Sequence, residues 1–300
     1  MTSPLSLAVA QVNPTVGDVD GNADLIRAAS ADAHGADLLV AGELALSGYP
    51  PEDLVLKRAF QDRVERVVGA LAHETPAGGP ALLVGAPWRV DGGRYNSVLL
   101  LADGRLAEVR CKHELPNYGV FDEKRVFKGG PLPKPIRFRG AELGVMVCED
   151  MWTPPVTRHL AQQGAEILVV MNGSPFETDK IDTRFELASG RVADTGRPLL
   201  YVNLVGGQDE LVFDGASFAI EPSRGLAFRA PSWAAGVSRT RWLKEEDAGW
   251  RCEGSVEAQA EGVEAIYLAM LLGLRDYVGK NGFPGVIQAV LRGVGRWHHH

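Results

Sequence analysis

Three residues with complementary chemistry stand at the ends of apolar, strand-like segments in this sequence of 300 residues. Glu43 follows LLVAG, Lys112 follows EVRC, and Cys148 follows GVMV. In layered α/β proteins the loops at the carboxyl ends of strands usually carry the reactive side chains, because the strands give them a rigid base. Each residue alone also has an ordinary interpretation. A cysteine in an apolar run is commonly an inert core residue, and a Glu or Lys at a strand end is commonly solvated.

Together, the three residues supply the parts that thiol chemistry on an amide requires. A free cysteine with a pKa of about 8.5 is mostly protonated at neutral pH, so it needs a neighbouring base or cation. Glu43 could accept that proton, and Lys112 and the backbone N–H of Glu149 could stabilise the oxyanion that forms at the carbonyl. A papain-like mechanism would instead use a histidine, and only His113, next to Lys112, keeps that alternative open.

The segments that must hold these residues alternate in character along the chain. Apolar, β-branched runs alternate with segments of helical period, which is typical of strands and helices stacked in layers. Short turns between the later strands favour a sheet that mixes parallel and antiparallel pairs. Strands are predicted over 5–12, 36–43, 80–88, 95–103, 106–114, 142–150, 165–173, 198–206, 211–220 and 225–230, and helices from Asp20 or Asn22 to Gly35, over 52–74, 153–164 and 182–196, and over about 255–280.

Composition and charge exclude several classes of protein. The 45% hydrophobic content and the length are sufficient for a sizeable core. The net charge of -7 and the scattered Lys and Arg argue against a nucleic-acid surface. Without an apolar run of about 18 residues or a secretory signal, we expect a cytoplasmic protein with no membrane contact. Cys111, Cys148 and Cys252 are odd in number and widely spaced, which favours neither disulfides nor a metal site.

The sequence contexts of the three candidate residues carry a family resemblance. AGELALSGYPPEDL, CKHELPNYGVFDEKRVF and GVMVCEDMW resemble the nitrilase superfamily of carbon-nitrogen hydrolases, and most closely the glutaminase domains of glutamine-dependent NAD synthetases. The resemblance runs over nearly the whole of residues 4–286. It implies an α/β fold, a nitrilase-like α-β-β-α sandwich in which two mixed β-sheets pack face to face with helices outside.

The resemblance also implies roles for individual residues. Glu43 is the general base, Lys112 the cation that stabilises the oxyanion, and Cys148 the thiol that becomes a γ-glutamyl thioester. Glu123, in FDEKR, matches a second acidic residue that such sites keep near the lysine. The residues implied to bind glutamine are Tyr118, Glu149, Ser174 and Lys180, with Arg184 as the alternative to Lys180 and an ordinary turn as the alternative explanation for the NGSP segment around Ser174.

The implied reaction is hydrolysis of L-glutamine to L-glutamate and ammonia without a metal or organic cofactor. Two alternatives remain open: a free-standing amidase that acts on another small amide, and a catalytically silent partner subunit of a separate synthetase. The family packs helices across a twofold axis, and the predicted helix over 255–280 would expose an apolar face in a monomer. We therefore expect a homodimer or a larger homo-oligomer.

The resemblance to a full synthetase stops near the end of the chain. KNGFPGVIQAVLRGVGRW lacks the S-G-G-x-D-S loop that cradles ATP phosphates, so ATP and Mg²⁺ would belong to a missing synthetase domain. A natural truncation, a frame slip or a deliberate shortening would each explain this. We expect a glutaminase domain over 1–254, a linker helix and the truncated start of a synthetase domain over 255–297, and a purification tag over 298–300.

Overall fold

The computed structural model describes residues 3–223, 225–246 and 249–286. In chain order, the strands β1 to β15 are Leu5–Gln11, Leu38–Val40, Ala81–Val90, Gly93–Ala102, Arg105–Cys111, Ile136–Phe138, Ala141–Val147, Ile167–Asn172, Leu199–Asn203, Val205–Gln208, Leu211–Asp214, Phe218–Glu221, Gly225–Arg229, Gly236–Glu245 and Gly249–Glu253. The helices α1 to α6 are Val19–Asp32, Arg58–His73, Glu123–Val126, Pro154–Gln162, Lys180–Thr195 and Gly262–Lys280.

Most of the strands belong to two large mixed sheets. The first sheet has the order β15-β14-β1-β2-β3-β4-β5, and the second has the order β13-β12-β9-β8-β7-β6. The strands β10 and β11 form a separate antiparallel hairpin. The predicted mixture of parallel and antiparallel pairs is therefore confirmed, since β1, β2 and β3 pair in parallel and β3, β4 and β5 pair antiparallel.

The core consists of three apolar clusters. Each lies between two neighbouring layers, as a four-layer α-β-β-α sandwich requires. Along β1, Leu5, Leu7 and Val9 pack against residues of the second sheet, while Ala8 and Ala10 face the helices α1 and α2. This alternation follows from the period of two along a strand, and both faces are apolar because both are covered. A third cluster packs α4 and α5 on the outer face of the second sheet. The predicted fold is confirmed.

Strand direction brings the candidate residues to one edge. The strand β5 is two antiparallel pairings away from β3, which is parallel to β2, so β2 and β5 run in the same direction. Glu43 follows β2 and Lys112 follows β5, and both therefore leave the first sheet at the same edge. Cys148 leaves the second sheet at the end of β7.

The predicted helix starts and strands need some corrections. The helix α1 is capped by Asp18, whose Oδ1 accepts from the Gly21 N–H, whereas Asn22 is buried inside the helix and bonds to Thr15 and Leu46. The strands β6, β14 and β15 were not predicted. The two larger ones alternate polar with apolar residues, because one face of each is exposed to solvent, and they therefore lack a continuous apolar run.

The predicted long helix begins later than the sequence pattern indicated. Residues 249–253 form β15, and residues 255–257 lie beside β13, where Arg229 N–H donates to the Ser255 carbonyl and Glu257 N–H donates to the Arg229 carbonyl. The helix α6 begins only at Gly262. Within the described ranges, no helix is long and apolar enough to cross a membrane.

The helix α6 packs on the hairpin of β10 and β11, where Ala265 and Leu272 are buried. Near its end, Oδ2 of Asp276 accepts from Asn13 Nδ2 at 2.6 Å and from the Gly207 N–H at 2.8 Å. The opposite side of the helix is exposed and apolar; its residues are Val263, Ile266, Tyr267, Met270, Leu271, Leu274 and Tyr277. The last part of the segment predicted over 255–297, residues 287–297, and the predicted tag over 298–300 lie outside the described residues.

Candidate active site

Lys112 lies between two carboxylates in the interior of the protein. Its Nζ is 2.7 Å from Oε1 of Glu43 and 2.8 Å from Oε1 of Glu123. Lys112 and Glu43 have no exposed surface, and Glu123 is 5% exposed. The three residues come from the end of β5, the loop after β2 and the first residue of α3, so the fold brings together the three side chains that the sequence kept 69 and 11 residues apart.

Neighbouring polar groups fix the two carboxylates in place. Asn96 Nδ2, on β4, donates to Oε1 of Glu43 at 2.7 Å, and the Gly173 N–H donates to Oε2 of the same carboxylate at 2.8 Å. The hydroxyl of Tyr49 donates to Oε1 of Glu123 at 3.1 Å. Buried carboxylates are stable only when such partners satisfy them. We define Glu43, Lys112 and Glu123 as the acid–lysine cluster.

Electrostatics keep the lysine charged. Burial lowers the pKa of Lys112, but the carboxylates of Glu123 and Glu43 outweigh it and hold that pKa well above its ordinary value. Burial raises the pKa of Glu123, against the opposing effect of the Lys112 charge. The cluster therefore presents an ammonium group that is available to stabilise negative charge.

Cys148 begins a short turn, Cys148–Met151, directly after β7. Its φ of 42° lies in the left-handed region, which is uncommon for residues other than glycine and is strained. Burial, followed by the negative charge of Glu43, raises the pKa of the Cys148 thiol well above its ordinary value, while Lys112 opposes the shift. The thiol is therefore protonated at neutral pH.

The Cys148 turn opens into a cleft of about 460 Å³. This volume suits a small metabolite. All four residues that were predicted to bind substrate line it: Tyr118, Glu149, Ser174 and Lys180. The Tyr118 hydroxyl donates to Oε2 of Glu149 at 2.8 Å, and Lys180 Nζ is 2.5 Å from Oε1 of Glu177.

The alternative to Lys180 is a structural residue. Arg184 is 2% exposed and forms a bidentate pair with Asp214, with Nη1 at 2.7 Å and 3.0 Å from the two carboxylate oxygens. Its Nη2 donates to the carbonyls of Ser174 and Pro175. Arg184 does not line the cleft, whereas Lys180 does. Lys180 therefore faces the cleft, whereas Arg184 holds the Ser174 loop through its contacts with Ser174 and Pro175.

Other side chains with reactive groups lie elsewhere. Among the described residues that line the cleft there is no histidine, and Nδ1 of His113 is 2.7 Å from the Gly130 carbonyl. Sγ of Cys111 is 3.6 Å from Oγ of Ser97, and Cys252 is buried between the two sheets. In the part of the chain that the structure describes, no group of three or more His, Cys, Asp or Glu side chains could hold a metal ion.

Four residues at the site had not been singled out in the sequence. Tyr49, Asn96 and Gly173 contact the acid–lysine cluster, and Asp150 accepts three backbone hydrogen bonds beside the Cys148 turn. Tyr49 and Asp150 lie within the SGYP and CEDMW segments that carry the family resemblance, so the sequence offered a signal for both. Gly173 lies within the NGSP segment, for which an ordinary turn was the alternative explanation. Asn96 carried no signal, because its contact with Glu43 depends on a residue distant in sequence.

The site and the fold together define a class of protein. The sequence model of carbon-nitrogen hydrolases matches residues 6–241, and this chain belongs to the carbon-nitrogen hydrolase family. The chain is 43% identical over 297 residues to the glutamine-dependent NAD(+) synthetase of Rhodobacter capsulatus. The aligned region covers 98% of this chain and 53% of that protein. The chain thus spans about half the length of the curated relatives it matches.

Solved structures support the same assignment. The glutamine-dependent NAD+ synthetase of Acinetobacter baumannii superimposes with a TM-score of 0.87 and 33% identity, covering 95% of this chain and 54% of that one. An amidase from Nesterenkonia sp. AN1 superimposes with a TM-score of 0.68 and 26% identity, covering 78% of this chain and 92% of that one. That structure, of a mutant form, shows the result of Michael addition of acrylamide at the active site cysteine of the amidase.

Proposed function

We propose that this chain hydrolyses L-glutamine to L-glutamate and ammonia through a thioester on Cys148. The observation that carries the proposal is the buried acid–lysine cluster, whose charges act on a strained cysteine at the wall of a substrate-sized cleft. Similarity to glutamine-dependent NAD synthetases over nearly the whole of this chain also supports the proposal.

The first half of the proposed reaction forms the thioester. Glu43 takes the proton from the Cys148 thiol as the sulfur attacks the side-chain amide carbon of glutamine, which gives a tetrahedral oxyanion. Lys112 and the Glu149 N–H donate to that oxyanion. When the intermediate collapses, the proton on Glu43 passes to the leaving nitrogen, and ammonia departs. A neutral resting thiol suits this order, since the proton leaves only when a substrate is in place.

The second half releases glutamate. Glu43 removes a proton from water as the water attacks the thioester carbonyl, and the same donors stabilise the second oxyanion. Collapse then expels the Cys148 sulfur, which regains its proton from Glu43. Glu123 takes no proton in this scheme; it holds Lys112 and balances its charge.

The cleft offers a partner for each charged group of free glutamine. Lys180 pairs with the α-carboxylate, and Glu149, held by Tyr118, accepts from the α-ammonium group. Ser174, which also lines the cleft, is placed to contact the same α-carboxylate and α-ammonium groups. A substrate with both charges therefore gains two charge-assisted hydrogen bonds that a plain aliphatic amide lacks.

Ammonia release over a panel of amides tests the proposal. Glutamine should be preferred over butyramide, propionamide and asparagine, and Cys148→Ala should abolish turnover while leaving the thermal melt unchanged. Cys111→Ala is the matched control, because it removes a thiol of the neighbouring sheet and should keep full activity. A preference for a simple amide would favour the free-standing amidase, which the Nesterenkonia similarity supports, and no turnover on any amide would favour the silent partner.

The setting of this activity is also proposed. In a longer protein of the NAD synthetase type, the ammonia would pass to a synthetase domain that binds ATP and Mg²⁺; the hydrolase part would span 1–254 and the linker would begin at 255. We place the protein in the cytoplasm, acting on free glutamine without nucleic-acid or membrane partners. The exposed apolar side of α6 supports a homodimer or a larger homo-oligomer, because such a surface is usually covered.

A further inference from the structure

The nucleophile and the lysine belong to different sheets. Lys112 follows β5 of the first sheet, and Cys148 follows β7 of the second sheet. Facing sheets of a sandwich pack through apolar side chains and share no ladder hydrogen bonds. The separation between these two strand ends therefore needs another constraint if the thiol and the ammonium are to act on one carbonyl group.

A single buried carboxylate spans the two strand ends. Oδ1 of Asp150 accepts from the N–H groups of His113 at 3.0 Å and Glu114 at 2.8 Å, and Oδ2 accepts from the Val147 N–H at 3.0 Å. His113 and Glu114 directly follow Lys112, and Val147 directly precedes Cys148. Asp150 itself has no exposed surface.

We propose that Asp150 is a positioning residue that sets the distance between Cys148 and Lys112 by holding the ends of β7 and β5 together. We call Asp150 and its three N–H donors the Asp150 clamp. This inference rests on the proposed function, in which both residues act on the same intermediate. Asp150 touches neither the substrate nor the sulfur in this scheme, and it acts only through the backbone on either side of the cleft.

The carboxylate form suits this role better than any neutral side chain. Three N–H donors converge on two oxygens, and only an ionised carboxylate accepts from all of them without presenting a donor of its own. Burial raises the pKa of Asp150 to about 6, while the backbone N–H groups and the charge of Lys112 lower it. Lys112 is a charged neighbour that lowers this pKa, and a carboxyl group with a pKa of about 6 is mostly ionised at neutral pH.

The isosteric variant Asp150→Asn tests the clamp. Its amide oxygen can still accept from two N–H groups, but its amide nitrogen then faces a third N–H donor, so one strand end is released. We expect kcat for glutamine to fall by about tenfold to a hundredfold, with KM changed by less than about threefold, because misplacement of reacting groups acts mainly on the chemical step. Alkylation of Cys148 by iodoacetamide, followed by mass spectrometry, should slow as well.

Glu221→Gln is the matched control. Glu221 is also a buried carboxylate that links the two sheets, since Glu221, on β12, accepts from the Cys252 N–H on β15 at 2.7 Å. It lies toward the opposite edge of both sheets. Its variant should lower the melting temperature without changing kcat or the alkylation rate. If Asp150→Asn behaves as Glu221→Gln does, the clamp is refuted.

Hydrogen exchange on the wild-type protein gives a readout that needs no variant. The amides of His113 and Glu114 lie outside any strand, so only the clamp protects them, and they should exchange much more slowly than the exposed amide of Gly119. Equal rates would overturn the proposal even if Asp150→Asn fails to fold. Wild-type protein that is inactive on glutamine would instead refute the proposed function, while the alkylation and exchange readouts would still decide about the clamp.

Discussion

Nζ of Lys112 lies 2.7 Å from Oε1 of Glu43, and neither side chain has any exposed surface. A buried ion pair is weak support for stability, because the cost of removing two charges from water can exceed their attraction. Here the lysine also contacts a second carboxylate, Glu123, so that two carboxylates share one ammonium group. An arrangement of this kind is more readily explained by chemistry at the adjacent Cys148 than by folding.

The acid–lysine cluster predicts large kinetic effects. Glu43→Gln removes the proton acceptor, and Lys112→Met removes the charged oxyanion donor, so each should lower kcat for glutamine by about a hundredfold or more. Adding either change to Cys148→Ala should cost almost nothing further, because no covalent step remains to assist. Steady-state ammonia release on the single and double variants, with thermal melts, provides the measurement.

The exposed pair of Arg27 and Glu74 is the control for this prediction. Their Nε and Oε2 atoms are 2.8 Å apart, but both side chains are more than a third exposed. Removing such a pair with Arg27→Met should change the free energy of unfolding by about 0 to 1 kcal/mol and leave kcat unchanged. If Glu43→Gln and Lys112→Met stay within a few-fold of wild type as well, the cluster is not catalytic.

Lys180 predicts a separate effect on substrate affinity. Lys180→Met should raise KM for glutamine by about tenfold, because a charge-assisted hydrogen bond to the α-carboxylate contributes about 1.5–3 kcal/mol, and it should leave turnover of butyramide unchanged. Glu177→Gln should lower KM, since Glu177 competes with the substrate for Lys180. Both values come from initial rates over a range of glutamine concentrations.

Lys244 offers a matched control for Lys180. Each lysine has Nζ 2.5 Å from a glutamate oxygen and lies over an aromatic ring, Phe121 for Lys180 and Trp250 for Lys244. Lys244 is absent from the cleft. Lys244→Met should therefore keep the wild-type KM, and an equal rise in both variants would argue against a carboxylate contact at Lys180.

Asp150 predicts a pH dependence of stability. Its pKa rises from an ordinary 3.8 to about 6 on folding, so between these values the folded state binds the proton and the unfolded state has lost it. The stability that the folded state gains by binding this proton is fully present below pH 3.8. It is lost as the pH rises through 6. By linkage, the free energy of unfolding of the wild type should fall by about 1 kcal/mol relative to Asp150→Asn between pH 5 and pH 7.

Urea titrations of both proteins at the two pH values measure this difference. Groups that titrate in both proteins, including Glu123, contribute equally to the two free energies of unfolding, so their contributions cancel in the difference. A difference that stays constant, or that grows in favour of the wild type as the pH rises, would contradict the raised pKa of Asp150.

The exposed side of α6 predicts the assembly state. Met270 is 69% exposed in the single chain, and Met270→Glu would bury a carboxylate in any interface that covers this side. The variant should therefore elute with a lower mass than the wild type in size-exclusion chromatography with light scattering. Leu25→Glu, on the 39% exposed Leu25 of α1, should leave the mass unchanged. A wild-type protein that is already monomeric would refute the proposed oligomer.

The positions of the three strand ends were predictable, because each apolar run stops at a polar or reactive residue. Glu43, Lys112 and Cys148 each follow such a run, so counting from the pattern placed them correctly at the edge of a sheet. Asn96 could not be found in this way. It lies inside β4, and its contact with Glu43 depends on the pairing of that strand with β3, which sets Asn96 opposite Pro87.

Tertiary pairing also explains the errors in the predicted elements. Residues 255–257 have helix-compatible types, but their backbone N–H and C=O groups pair with Arg229 and the segment stays extended. The strand β14 carries Arg239 and Arg241 on its exposed face, so it contains no continuous apolar run that would predict a strand. In both cases a partner distant in sequence decided the conformation, and local propensity did not.

The attachment of α6 has a practical consequence for anyone who dissects this protein. Asp276 accepts hydrogen bonds from the Asn13 side chain and the Gly207 N–H. Nζ of Lys280 donates to the carbonyls of Pro14 and Gly207 at 2.7 Å. A fragment cut at residue 254, where the composition changes, would expose the hairpin that α6 covers and would strip these groups of their partners. The smallest piece that can be expected to express as a soluble, active hydrolase therefore ends after Lys280.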